Sequence, residues 1–144
     1  MTDAPKKTPV KKAPTAKVHH EGGKLAVVLI RGLIGSRHDV RKTLLDLKLH
    51  RKMICVIHDD TQVHRGMMKL AKDFITYGPV SDETVAQLRA KRRELKKDGK
   101  GINVFPMNPP RGGFGHKGTK VGYQDGGCLG YRAKGMDALL ERMM

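Results

Sequence analysis

Lys24-Leu25-Ala26-Val27-Val28-Leu29-Ile30-Arg31 carries six apolar residues in a row between two cations. A strand with one wet face alternates apolar and polar side chains. An unbroken, β-branched-rich run of this length describes a strand covered on both faces or central in a sheet. Gly32 and Gly35 open a turn after it, and Ser36 followed three residues later by Asp39 reads as a helix start, an acidic variant of the capping box. In that helix Val40, Leu44 and Leu47 share one face, while Arg37, Arg41, Lys42 and Lys48 lie mostly off it.

A second continuous apolar run, Met53 to Ile57, repeats the strand signal and ends at His58-Asp59-Asp60. Asp59, Asp60 or Thr61 then caps a helix whose apolar stripe is Val63, Met67, Leu70, Ala71 and Phe74. His64, Arg65, Lys69 and Lys72 occupy its opposite flank. Gly78-Pro79 reads as the stop of that helix. Ser81, Asp82 and Glu83 begin a third helical segment with an acidic first turn and a basic end, the charge order that a helix dipole favours. Its thin stripe of Val85, Leu88, Arg92 and Leu95 places it at the periphery, so residues 74–101 are expected as a peripheral helical insert. Ile102 to Met107 is the third strand, and Pro106 marks it as an edge strand or one that ends early. Met136, Leu139, Leu140 and Met143, at i, i+3, i+4 and i+7, form a short closing helix.

Between the last strand and the last helix, residues 108–132 hold eight glycines and few aliphatic side chains. Such a segment buries too little apolar surface to offset the entropy of ordering itself. Its Arg and Lys side chains outnumber its single acid, Asp125, which points to a polyanion as the ordering partner. The chain has no Trp and three each of Phe and Tyr, yet Phe105, Phe114, Tyr123 and Tyr131 fall in or beside this segment, where rings stack on bases. A solvated linker is the competing reading.

The charge balance extends this picture to the whole chain. Against 14 Asp and Glu stand 29 Lys and Arg in 144 residues, a net charge of +15, which belongs with nucleic-acid or anionic-surface partners. The cations are spread over separated segments, as suits a partner that surrounds the protein. Residues 1–23 alternate Lys, Pro, Ala and Thr and read as a disordered basic tail, leaving 24–144 as one domain. No apolar run approaches the ~20 residues of a bilayer span, and no signal-peptide core is present, so a soluble intracellular protein is expected. Cys55 and Cys128 form no CxxC clip or disulfide framework, and Cys55 reads as a small core residue.

Several motifs invite chemistry and fall short of it. Gly113-x-Gly115-x-x-Gly118 matches a dinucleotide fingerprint as a string, but Pro109-Pro110 stand before it and no helical stripe follows. His58 and His64 around Asp59 and Asp60 resemble a metal cluster, yet the acids serve better as caps. A small phosphate-transferring enzyme built on Arg31 would want a nearby Asn to orient water, and the only Asn residues, Asn103 and Asn108, are far down the chain. No catalytic residue, metal site, cofactor or small-molecule substrate is assigned.

Leu25 to Gly35, Leu47-Lys48-Leu49-His50, Thr61 with Arg65-Gly66-Met67, Pro109-Pro110-Arg111-Gly112-Gly113, and Gly126-Gly127 with Leu129-Gly130 resemble, in this order and spacing, a known family. It is the large-subunit ribosomal protein numbered thirty, in its archaeal and eukaryotic form. The resemblance covers about Lys24 to Met144. It implies an α+β fold: a small two-layer β-α-β-α-β core, ferredoxin-like, with an antiparallel three-stranded sheet, the first strand central, and helices on one face. It also implies a structural, non-catalytic protein of the cytoplasmic ribosome that binds large-subunit ribosomal RNA beside neighbouring large-subunit proteins. On that reading Arg31, Arg37, Arg41, Lys42, His64, Arg65 and Lys69 contact phosphates from the core. Arg111, His116, Lys117, Lys120 and Arg132 enter RNA grooves with the loop, and Tyr123 or Tyr131 stacks on an unpaired base. A chromatin-type DNA-binding protein is the rival that the charge alone would allow.

Overall fold

The computed structural model describes residues 23–92 and 104–144. The expected basic tail, apart from Gly23, and residues 93–103, which include Leu95 at the basic end of the third helical segment and the start of the expected third strand, lie outside the described residues. Within them the order is β1 (Lys24–Leu29), α1 (His38–Asp46), β2 (Ile54–Asp59), α2 (Gln62–Leu70), β3 (Ile75–Val80), α3 (Asp82–Lys91), β4 (Val104–Pro106), a 3-10 turn at Tyr123–Asp125, β5 (Gly130–Tyr131) and α4 (Met136–Met143).

β1 is central, as its unbroken apolar run required. The five strands run β4-β2-β1-β3-β5, with every pairing antiparallel except β3 with β5. Val27 stands between Val56 of β2 and Tyr77 of β3. Its two faces feed two separate cores. Leu25, Val27 and Leu29 pack with Leu44, Leu47 and Leu49 around α1 and with Met68 and Ala71 of α2. Ala26 and Val28 pack with Val85 and Leu88 of α3, Phe105 of β4, and Met136, Leu139, Leu140 and Met143 of α4. A strand buried on both sides has no use for polar alternation.

The class is α+β as expected, while three details differ. The sheet has five strands instead of three. Helices cover both faces, α1 and α2 on one and α3 and α4 on the other, so the core has three layers. Residues 75–80, read as the end of a helix and the start of a peripheral insert, form β3, the direct neighbour of β1. Gly78-Pro79 disguised it. Pro79 cannot donate to a ladder, but β5 reaches only Thr76 and Tyr77, so at Pro79 β3 has a strand neighbour on one side alone. Gly78 is required for a different reason: a Cβ there would collide with the carbonyl oxygen of Arg132, where the C-terminal chain crosses the strand.

Local signals fared unevenly. Ser81 caps α3, its hydroxyl accepting from Thr84 N at 3.4 Å, and Thr61 caps α2, accepting from His64 N at 3.2 Å. Ser36 does not cap α1. Its hydroxyl donates to the Leu33 carbonyl at 2.6 Å, and the helix starts one residue later, after Arg37. The α2 stripe is also rotated: Met68 and Ala71 are fully buried, whereas Val63 and Leu70 are 70% and 52% exposed. Nine residues of helix offered two apolar faces, and the sheet took the one through Met68. α1 ends with Lys48 at φ +63, its N–H bonded to Leu45 O and that of Leu49 to Leu44 O, a Schellman closure that buries Leu49. With Met53, also at φ +63, this corner turns the chain so that β2 runs antiparallel to β1.

Candidate nucleic-acid interface

The exposed cations divide between the two faces of the sheet. On α1, Arg41 and Lys42 are exposed and Arg37 pairs with Asp39 at 2.5 Å, which holds the Asp39 carboxyl below its ordinary range. On α2, Lys69 is exposed, while His64 is half-buried with Nδ1 donating to the Asp59 carbonyl at 2.9 Å. Its ring lies 4.7 Å from that of His58, whose pKa is lowered by burial first and by His64 second. Arg65 grips Asp60 through both Nε and Nη2, a fork that ties the start of α2 to its own first turn.

Residues 108–132 are laced by their own backbone, a correction to the expectation that the stretch lacks means to order itself. Gly127 N donates to Gly122 O at 2.9 Å, Leu129 N to Val121 O at 3.1 Å and Tyr123 N to Leu129 O at 2.8 Å. Gly127 sits so close to Val121 that a Cβ would strike the Val121 carbonyl. Cys128 and Leu129 are buried with Ile30, so the segment has a small apolar anchor of its own. From this base the side chains of Arg111, His116, Lys117 and Lys120 are exposed. Arg111 lies beside α4, its N–H donating to Arg142 O at 3.1 Å, on the sheet face opposite α1 and α2.

Where β5 meets β3, the surface opens into a cleft of about 570 Å³ lined in part by Arg31, Lys72, Tyr77, Lys120, Tyr123 and Tyr131. Arg31 is half-buried there, Nη1 donating to the Asp73 carbonyl at 3.2 Å and its guanidinium over Phe74 at 5.0 Å. Among the described residues, no group of His, Cys, Asp and Glu is placed to hold a metal ion, and no helix is long and apolar enough to cross a membrane.

Residues 25–75 match the family described as ribosomal protein L30p/L7e. The chain is 34% identical to the large ribosomal subunit protein uL30 of Methanococcus maripaludis, an alignment spanning 83% of this chain and 98% of that protein. It is equally identical to the protein of that name from Methanopyrus kandleri, over 80% of this chain and all of the relative, and to that of Staphylothermus marinus, over 83% and 97%. The chain belongs to the L30p/L7e family. Membership makes it a structural, non-enzymatic ribosomal protein of archaeal type, and its place is the cytoplasmic ribosome.

For an L30 chain the geometry sorts the expected contacts into three groups. Arg41, Lys42, Lys69, Arg111, Lys117 and Lys120 have no carboxylate within 4 Å among the described residues, and His116 is exposed beside them. Arg31, Arg37, His64 and Arg65 have intramolecular partners and only partial freedom. Arg132 does not face outward at all. Only 5% exposed, it donates from Nε to Thr76 Oγ1 at 3.1 Å and from Nη2 to the Phe114 carbonyl at 3.2 Å, and its guanidinium lies 4.5 Å from the Tyr123 ring centre. Burial lowers its pKa. The groove-entering role expected of it is therefore corrected to an internal one. Lys72, which shares the cationic flank of α2 in sequence, belongs among the candidate contacts because the cleft brings it near Arg31.

Proposed function

We propose that this chain binds large-subunit ribosomal RNA and holds its folded form, with phosphates engaged from both sides of its sheet. The observation that carries the reading is the set of exposed, unpaired cations: Arg41 and Lys42 on α1, Lys69 on α2, and Arg111, Lys117 and Lys120 on the 108–132 segment. Cations without carboxylate partners are free to exchange their counterions for phosphates. Arg31, Arg37, His64 and Arg65 add shorter-range contacts around the β1–α1 turn and the start of α2, positioning the protein without reading sequence. The relatives' name, large ribosomal subunit protein, supports the same partner. Neighbouring large-subunit proteins complete the surroundings. The chromatin-type and phosphate-transfer alternatives have no observation beyond net charge in their favour.

Sedimentation of cell lysate through a sucrose gradient, with and without a high-salt wash, tests the reading. The expected result is one copy of the protein migrating with each large subunit and surviving the wash. Retention at the top of the gradient, or migration with DNA, overturns it.

A further inference from the structure

The cleft beside β5 has a construction that phosphate binding alone does not explain. Tyr123 and Tyr131 both line it, and they are 39% and 43% exposed, the largest aromatic surfaces among the described residues. Each ring is braced from the protein side. Tyr131 rests against Tyr77, with ring centres 5.5 Å apart and planes tilted by 52°, and Tyr123 lies over the buried guanidinium of Arg132. Arg132 itself has no carboxylate within 4 Å among the described residues, so a positive charge is fixed behind an aromatic wall. Three further cations, Arg31, Lys72 and Lys120, edge the opening, against the two acids Asp73 and Asp125.

Braced rings, a cationic rim and a volume of about 570 Å³ suit a ligand with a flat π-face and an attached phosphate, the volume lying within the roughly 300–1,000 Å³ of small-ligand pockets. We infer that the cleft is a single-nucleotide subsite that receives one unpaired, unstacked RNA nucleotide, its base stacked on Tyr131 or Tyr123 and its flanking phosphates held by Arg31, Lys72 and Lys120. A paired helix keeps its bases stacked on one another and offers no free face to either ring, so the ligand is single-stranded at that point. Gln124 and Asp125, also on the wall, supply hydrogen-bonding groups for the base edge. Arg132 acts as a positioning residue: it fixes the Tyr123 ring and does not itself reach the nucleotide. This inference rests on the ribosomal-RNA reading above and narrows it to a defined subsite.

The test uses the full chain bound to deproteinised large-subunit RNA, irradiated with ultraviolet light, digested and mapped by mass spectrometry, with affinity measured in parallel. A nucleotide adduct on Tyr131 or Tyr123, traced to an unpaired position of the RNA, is expected. Tyr131→Leu should lower that adduct and weaken RNA binding about tenfold, while Tyr131→Phe, which keeps the ring, should restore both. The Phe variant controls for a folding defect, since it keeps the contact with Tyr77. If wild-type protein binds the RNA but no adduct maps to either tyrosine and Tyr131→Leu binds equally well, the subsite is overturned and RNA binding stands. If wild-type protein does not bind the RNA, the functional reading fails and the subsite with it.

Discussion

Arg132 shows how a residue of obvious type can take an unexpected part. In sequence it is a cation closing a glycine-rich run, and such residues are ordinarily solvated. In the fold its N–H donates to Tyr77 O at 2.8 Å where the chain joins β3, and its guanidinium satisfies Thr76 and Phe114 from within. Replacing it with Met keeps the apolar stem but leaves the buried Thr76 hydroxyl without its donor, at about 1–3 kcal/mol, and the part-buried Phe114 carbonyl too, at the lower end of that range, about 1 kcal/mol. Arg132→Met is therefore expected to lower unfolding stability by about 2–4 kcal/mol, read from the urea midpoint at constant m. The salt dependence of RNA binding should stay as in wild type. A variant as stable as wild type but with a shallower salt slope would return Arg132 to the RNA surface. The sequence could not disclose its place, because that depends on β5 pairing with β3 across a separation of more than fifty residues. Cys55 was legible because its neighbours are all apolar: it is fully buried, and burial pushes its thiol up to about 12, where it has no nucleophilic use at neutral pH.

Elements were legible where their own periodicity decided them. The four residues of α4 chosen by spacing, Met136, Leu139, Leu140 and Met143, are the four that the fold buries. β1 and β2 announced themselves as continuous apolar runs, and Pro106 correctly put β4 at an edge. β3 failed because Ile75-Thr76-Tyr77 is short, follows α2 after a four-residue turn, 71–74, that holds no glycine or proline, and runs into a glycine and a proline whose presence depends on tertiary neighbours. The thin stripe of Val85, Leu88, Arg92 and Leu95 points to a peripheral α3, yet Val85 and Leu88 are buried in the second core, on the face of the sheet opposite α1 and α2. α4 is what completes this second core, packing on β3 and α3. Leu140 is fully buried in it, so Leu140→Ala should cost about 2–5 kcal/mol, with the spread set by how far the cavity collapses. Thermal or urea unfolding checks this. A loss below about 1 kcal/mol would mean that α4 is loosely docked and that the second core is held by α3 and β4 instead.

At the scale of the molecule, the three-layer arrangement turns a sequence-wide excess of charge into a particular geometry. Arg41 and Lys42 belong to the α1 and α2 side of the sheet, whereas Arg111 is fastened to α4 on the other side. A protein that grips RNA with one face would place its working cations on that face and leave the rest as solubility charges. One lodged among RNA segments engages both. Salt dependence separates these cases because each phosphate neutralised contributes roughly −0.7 to −0.9 to the slope of log affinity against log salt, so about six contacts predict roughly −4 to −5. Replacing Arg41 and Lys42 together with Ala should make the slope shallower by roughly 1 to 2, and replacing Arg111 and Arg142, both exposed on the α4 side, should do the same. Combining the two pairs should give the sum, since charges on separate elements with no shared partner act independently. A one-sided interface predicts something else: one of the two pairs would leave the slope unchanged while the other carried the whole effect. Measurement of large-subunit RNA affinity across salt concentrations for the four proteins decides between them, and only additivity from both pairs is consistent with a chain embedded in its RNA.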